Sequence, residues 1–301
     1  MSEIVFKWLC VSIVVAVIAI VALATIGAAR WRASTRMLIE RLEAASAPIA
    51  PERYDSAREL EGLPAPVARF FQRVLVDGQP IVASACVEHA GMFNTSESGE
   101  RWTAFTSRQR VITRRPGFVW DGRMSLLPGA RVYVHDAYIA GEGILHPSLL
   151  GLATIVDLRG TSPERGGVAH GELLRFLAEA AWYPTALLPS RGVHWAAVDE
   201  TSARATMRDG PISVALTFSF APDGMIEAVR ADARGRTVGG KVVLTPWEGR
   251  WSNGVVRDGM RVPMTGEVAW LTNEGRKPYW RGTITALSYE FAGSHAASSV
   301  P

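Results

Sequence analysis

Glu172, Arg175 and Glu179 follow one another at steps of three and four, the densest acid–base grouping that one regular element of this chain would present together. On a helix these positions share a face, and Trp182 continues the stripe. Arg175 then stands between two carboxylates and can pair with both. One use of that spacing is a salt-bridged stripe turned to water. A second is general acid or base chemistry, with Glu172 or Glu179 at the mouth of a concave apolar surface that raises its pKa, as a membrane-associated hydrolase would need. An interface with another chain is the third. The solvated stripe requires nothing further from the sequence and is the expectation.

His135, Asp136, Glu142 and His146 form the densest metal-capable group. His135 and Asp136 are neighbours on a presumed strand, so their side chains point to opposite faces and cannot ligate together. No HExxH, CxxC or paired-carboxylate motif accompanies them, and neither a metal nor a cofactor is expected. Cys86 has only His89 nearby, three residues along a strand and on the other face. His170 stands just before the helical stretch, where it serves the first turn. Gly141-Glu142-Gly143 and Gly239-Gly240 lack phosphate-loop spacing and read as turns. No serine occupies a nucleophile elbow, so the chain carries no complete catalytic constellation.

The elements that must position these groups are of two kinds. In GELLRFLAEAAWYPTALLP, residues 171–189, the apolar residues cover most of a helical circumference, and a helix over 171–183 must therefore be enclosed. Beyond Pro80 the period changes to two, most clearly in ISVALTFSF, residues 212–220. Asp209-Gly210, Asp223-Gly224, Asn253-Gly254 and Asp258-Gly259 are hairpin-turn signals between such runs. Strands are predicted over 81–93, 100–113, 117–126, 130–140, 193–199, 202–208, 212–220, 225–235, 247–257, 261–271 and 279–291. Consecutive hairpins of that number make a meander that must curl. The predicted fold is α+β, mostly β: a curled antiparallel sheet, or half-barrel, clasping the central helix. That helix and the apolar segment Ile144–Val156 are the available fillers of the concave side. Trp182, Tyr183, Trp195, Trp247, Trp270 and Trp280 either complete an ordinary core there or line a pocket for an acyl chain or other apolar ligand.

The first 60 residues are organised differently. From Trp8 to Ala29 the chain carries no charge, a run long enough at ~1.5 Å per residue to cross ~30 Å of hydrocarbon. Residues 1–29 are expected to be an uncleaved single-pass anchor, although Ala22-Leu23-Ala24 offers a signal-peptidase type of site. Arg30, Arg32, Arg36 and Arg41 follow the run and only Lys7 precedes it, which places the large domain in the cytoplasm by the positive-inside rule. Residues 30–43 read as a basic collar against anionic head groups or as a solvated helix end, and 44–52 as an Ala/Pro linker. Pro64–Leu75 puts Val67, Phe70, Phe71 and Val74 on one face of a short helix. Residues 60–292 form the β domain and 293–301 a flexible tail.

The net charge of +3 comes almost wholly from scattered arginines, with lysine only at Lys7, Lys241 and Lys277. Without clustered cations and interleaved aromatics, nucleic acid is excluded as a partner. Cys10 falls in the apolar run, so the folded part has one thiol and no internal disulfide.

GELLRFLAEAAWYPTALLP, DETSARATMRDG, PWEGRW and RDGMRVPMTGEVAWLTNEGRKPYWRGTITALSYEF together resemble an uncharacterised bacterial domain-of-unknown-function family of membrane-anchored proteins, over roughly residues 60–292. The resemblance implies membrane attachment and a β-rich module; the family has no assigned activity, so it supplies no catalytic residues. The strand order with an internal helix is similar to the half-barrel of periplasmic lipoprotein carriers, at the level of fold alone. The functional expectation is a membrane-tethered, non-enzymatic module whose partners are the lipid bilayer and either an apolar ligand or another membrane protein.

Overall fold

The structure, a computed structural model, describes residues 3–47, 52–96, 99–127 and 130–293. Three helices precede the sheet: α1 (Glu3–Ala44), the single turn α2 (Ser56–Glu59) and α3 (Ala65–Val74). The first half of the sheet comprises β1 (Val82–Asn94), β2 (Trp102–Ile112), β3 (Gly117–Leu127), β4 (Ala130–Ile139) and β5 (Glu142–Leu149), with the short β6 (Ala153–Thr154) and β7 (Leu158–Gly160). Helix α4 (Val168–Glu179) comes next. The second half comprises β8 (His194–Ala197), β9 (Ser202–Asp209), β10 (Ile212–Phe220), β11 (Ile226–Val238), β12 (Lys241–Arg257), β13 (Met260–Thr272) and β14 (Gly275–Phe291).

All fourteen strands belong to one antiparallel sheet, in the order β6-β5-β4-β3-β2-β1-β14-β13-β12-β11-β10-β9-β8, with β7 also paired to β5. Every neighbour in that order is also a neighbour in sequence except β1 and β14. The two halves are therefore meanders joined in the middle, and the chain passes from one outer edge to the other between them. Only α4 and three short 3₁₀ turns, Ala180–Trp182, Pro184–Leu187 and Pro189–Arg191, make that passage. Topology thus carries α4 across the concave face, where Leu173, Phe176 and Leu177 are fully buried. The sheet stays open, as a curled half-barrel. Helix α3 packs at one end of it through Val67, Phe70, Phe71 and Val74.

Several expectations are corrected. The central helix starts at Val168, three residues earlier than predicted, so His170 lies inside its first turn; it ends at Glu179, because Pro184 and Pro189 break the succeeding residues into 3₁₀ turns. Ile144–Val156 is part of the wall of the concave side, through Leu145, Pro147 and Ile155, and not a separate filler laid across it. Its first half is β5, buried on both faces and so lacking alternation: Ile144 faces outward under α1 while Leu145 faces α4. Asn253-Gly254 is no hairpin turn, since β12 runs through it with Asn253 at φ +60°. The expected linker and tail fall partly on 48–51 and 294–301, outside the described residues.

The largest departure concerns residues 30–43. They form neither a collar on head groups nor a solvated helix end, because α1 is continuous over 42 residues and its second half docks on the convex side of the sheet. Leu38 and Leu42 are buried there against Ile112, Val119, Ala137 and Ile139, and Trp31 is buried against Tyr133 and His135. Burial of each such side chain contributes about 1.5–3 kcal/mol. One outward-facing row, Asp121, His135 and His146, abreast on β3, β4 and β5, receives Trp31. The indole N–H donates to Asp121 Oδ1 at 2.8 Å, and the ring stacks on His135 with centroids 3.7 Å apart. Thr35 Oγ1 lies 2.7 Å from His135 Nε2, and Arg41 pairs with Glu142 at 2.6 Å.

Burial, with lesser effects from His146 and Arg159, holds the His135 imidazole down at about 3. In the unfolded chain it titrates near 6.5, so below that pH the unfolded state holds a proton that the folded state refuses. Stability from this site is therefore complete above about pH 6.5 and declines as pH falls, by about 2 kcal/mol at pH 5. Denaturant titrations of the detergent-solubilised protein at pH 7 and pH 5 check this. His135→Gln, which takes no proton, is expected to lose less on acidification than the unsubstituted chain.

Candidate functional site

The inward row beside the one that holds Trp31 is Gln109, Trp120, Asp136 and Leu145, abreast on β2, β3, β4 and β5. Alternation along each strand makes the two rows adjacent and opposite in direction. Helix α4 sits on the inner row by its polar stripe. Arg175 donates from Nη1 to Asp136 Oδ2 at 2.5 Å and from Nε to Glu179 Oε1 at 2.6 Å. Gln109 Nε2 donates to the other Glu179 oxygen at 2.6 Å. The guanidinium lies over the Phe118 and Trp120 rings, 4.8 and 5.4 Å from their centroids. Burial works against its charge, but Glu179 and then Asp136 outweigh burial and raise its pKa.

The stripe is therefore not turned to water, as the spacing suggested. Glu172 is 6% exposed and Glu179 8%, and both border a cavity of about 610 Å³ between α4 and the concave face. Arg175 pairs with Asp136, from a strand, in place of Glu172. The Glu172 carboxylate instead lies 3.9 Å from Arg234 of β11. Burial first, and the Asp136 carboxylate second, push its pKa well above the ordinary carboxylate range. Glu172 is thus biased toward its protonated form, against the pull of Arg234, whereas the oxygens of Glu179 are engaged by Arg175 and Gln109.

Much of the rest of the cavity wall is aromatic, with aliphatic residues such as Met124, Val132 and Val134 beside it. Trp182, Trp247, Trp270 and Trp280 line it, together with Trp120, Trp251 and Tyr279. Trp270 stacks on Tyr279 with centroids 5.5 Å apart, and the Trp247 indole donates to the Tyr279 hydroxyl at 2.8 Å. Arg234 covers the Trp247 ring at 5.1 Å. Two of the expected pocket residues lie elsewhere. Tyr183 is fully buried behind α4, its hydroxyl donating to the Phe176 carbonyl, and Trp195 packs on Phe218 with its N–H on the Leu187 carbonyl.

A spacing in the sequence marks this wall and is invisible to a reading by residue type. Trp120-Asp121-Gly122, Trp247-Glu248-Gly249 and Trp280-Arg281-Gly282 each place glycine two residues after tryptophan, on the same face of the strand. A β-carbon at Gly122 or Gly282 would collide with the six-membered ring of the preceding indole. Trp251 makes the same use of Gly266, its cross-strand partner. Missing side chains let the indoles lie flat along the strands, and the space above them stays open.

The other candidates separate as their alternation required. His135 faces α1 and Asp136 faces Arg175; Glu142 pairs with Arg41, and His146 with Asp157 at 3.4 Å. Among the described residues no three His, Cys, Asp or Glu side chains form a metal-holding group. Cys86 lies beside Arg108 on the outer face, while His89 is buried inside against Trp182, its centroid 4.9 Å away. Burial, and then Arg175, hold the His89 imidazole down at about 3.

Residues 61–289 match a protein family described as a "Family of unknown function (DUF6920)". No curated protein matches the chain. Among solved structures, the LolA superfamily protein NE2245 from Nitrosomonas europaea is similar over 75% of this chain and 92% of its own, with 11% identity and a TM-score of 0.38. A beta-barrel-like protein of the domain of unknown function DUF1849 from Brucella abortus is similar over 70% and 99%, with 11% identity and a TM-score of 0.26. Neither likeness bears on what the cavity holds.

The two charges of the stripe are expected to respond differently to removal. Arg175→Met leaves the buried Glu179 and the partly buried Asp136 without a counter-ion and should destabilise the domain by about 3 kcal/mol. Glu172→Gln, which replaces a group whose charged form burial already disfavours, should stay within about 1 kcal/mol of the unsubstituted chain at pH 7. Urea denaturation of the two variants measures both.

Proposed function

The chain belongs to that family of unknown function, and we propose that it is a membrane-tethered, non-enzymatic module that holds an apolar, lipid-like ligand on the concave face of its half-barrel. The observation that carries this reading is the cavity. At about 610 Å³ it lies within the ~300–1,000 Å³ range of small-molecule sites and well above what one or two trapped waters occupy. Much of its wall is indole faces laid flat on glycines, and of the charges that line it Asp136, Arg175 and Glu179 pair among themselves. A long apolar group gains from such walls, and a polar end can reach Arg234 beside Glu172.

The tether rests on the first half of α1. Ile13, Val14, Ile18, Ile20 and Leu23 are each more than half exposed on a helix of that length, which leaves hydrocarbon as the medium that suits them. Arg30, Arg32 and Arg36 after the run favour a cytoplasmic domain. Reporters active on one side of the membrane only, fused to the C-terminus, should read as cytoplasmic; an active outward reporter reverses the assignment.

Native mass spectrometry of the protein extracted from its own membrane tests the ligand. A bound species of lipid mass is expected. In Gly282→Leu the new side chain drives the Trp280 indole off the strand and into the cavity, and the adduct should be lost while the far-ultraviolet spectrum is kept. A ligand-free native protein, or an adduct undiminished in Gly282→Leu, refutes the cavity as the site. A stoichiometric protein in place of lipid favours a structural partner role instead.

A further inference from the structure

The cavity lies at one end of the half-barrel, and that end is identified by the strand register. Phe93 is near the end of β1, Met124 near the end of β3, Val132 near the start of β4, Pro147 near the end of β5, Thr237 at the end of β11 and Trp270 near the end of β13. In an antiparallel sheet the end of one strand and the start of the next share a rim. All six lining residues therefore belong to the one rim at which β1, β3, β5, β11 and β13 end. The opposite rim is occupied by α3: Arg69 donates to the Glu200 carbonyl in the β8–β9 turn, and Gly224 of the β10–β11 turn lies against Arg69 and Arg73.

Helix α1 reaches the cavity rim and not the α3 rim as it leaves its apolar run. Gly27, two residues before the run ends, packs against the β5–β6 turn so closely that a β-carbon there would collide with the Leu150 carbonyl. The Leu152 side chain lies beside the same position. The end of the apolar run and the mouth of the cavity are thus at one level along the helix. At that mouth the surface is apolar. Ile155 and Val156, just past the β5–β6 turn, and Val242, Val243 and Leu244, just past the β11–β12 turn, are between 40% and 61% exposed. Arg101, Arg131 and Lys241 are exposed on the same rim, as are Glu100 and Glu274, the latter paired with Lys277.

We infer that this rim docks on the lipid bilayer that holds α1, with the apolar residues of both turns at the boundary between head groups and acyl chains and the three cations among anionic head groups. The inference rests on the proposed membrane tether and deepens the proposed ligand site. The mouth opens onto the bilayer, so an apolar ligand passes between membrane and cavity without crossing bulk water. A bilayer is the occupant because α1 joins the rim without a linker and brings it to the membrane surface. The mixture of apolar side chains and exposed cations suits that boundary.

The test uses the full chain in vesicles of zwitterionic and anionic phospholipid containing a doxyl-labelled lipid, with one environment-sensitive fluorophore per molecule. In a Cys86→Ser background the native Cys10 reports the spanning helix. With Cys10→Ser added, Val156→Cys and Val243→Cys report the two turns, neither residue lining the cavity, and Val198→Cys reports the α3 rim. β11 alone, 13 residues at ~3.3 Å each, sets the two rims roughly 40 Å apart. Labels at 156 and 243 are expected to shift to the blue and lose emission to the doxyl lipid, as Cys10 does, while the label at 198 does neither. Quenching at Cys10 with none at 156 and 243 overturns the docking and leaves the tether standing. No quenching at Cys10 overturns both. Equal quenching at 198 overturns the docking of this rim in particular.

Discussion

Arg175 is the interaction on which the rest of the domain depends. A guanidinium taken out of water is tolerated only where carboxylates meet it with good geometry, and here one comes from its own helix and one from β4. That requirement fixes the position of α4 on the concave face. It also explains why the helix leaves a space beside it. With Asp136 and Glu179 engaged by Arg175, the polar stripe is held against the sheet at one row. Beyond that row the wall turns aromatic and the helix does not follow. The cavity is the volume between a helix pinned by charge and a sheet that continues to curl.

The same strands serve two helices. Adjacent residues on β3 and β4 alternate between the inner row, Trp120 and Asp136, and the outer row, Asp121 and His135. The inner row carries α4 and the outer row carries α1. Neither face of these strands is left to water, which is unusual for an antiparallel sheet and more typical of sheets covered on both sides by helices. Buried histidine suits the outer row because it stacks on Trp31 as a neutral ring while bonding Thr35, at the cost of acid sensitivity.

Much of the fold was legible in the sequence. Period-two alternation located most of the long strands of both meanders, three Asp-Gly pairs marked turns of the second, and the apolar circumference of residues 171–183 required enclosure. What the sequence hid was direction. Polar residues at steps of three and four look alike on a helix facing water and on one facing a charged row, because the partners Gln109, Asp136 and Arg234 lie tens of residues away. β5 was misread for a related reason: covered on both faces, it has no polar side to reveal it as a strand. The docked half of α1 was equally hidden, since Leu38 and Leu42 signal nothing until Ile112 and Val119 are found opposite them, nor Trp31 until His135 is. The aromatic wall is different in kind. Its tryptophan-to-glycine spacing is local and was present to be read, and only its meaning, an indole lying flat, needed the third dimension.

Helix α1 runs from its apolar half into its docked half with no break in hydrogen bonding. A domain on a flexible linker explores a volume that grows with linker length. One fused to a rigid rod explores almost none: it can spin about the rod and drift sideways with it, and nothing else. With the proposed membrane tether, the cavity has a fixed working height. Under that proposal exchange with it becomes a problem of lateral encounter in two dimensions, in which the frequency of meetings depends on how crowded the surrounding sheet of molecules is and not on how far the protein can reach.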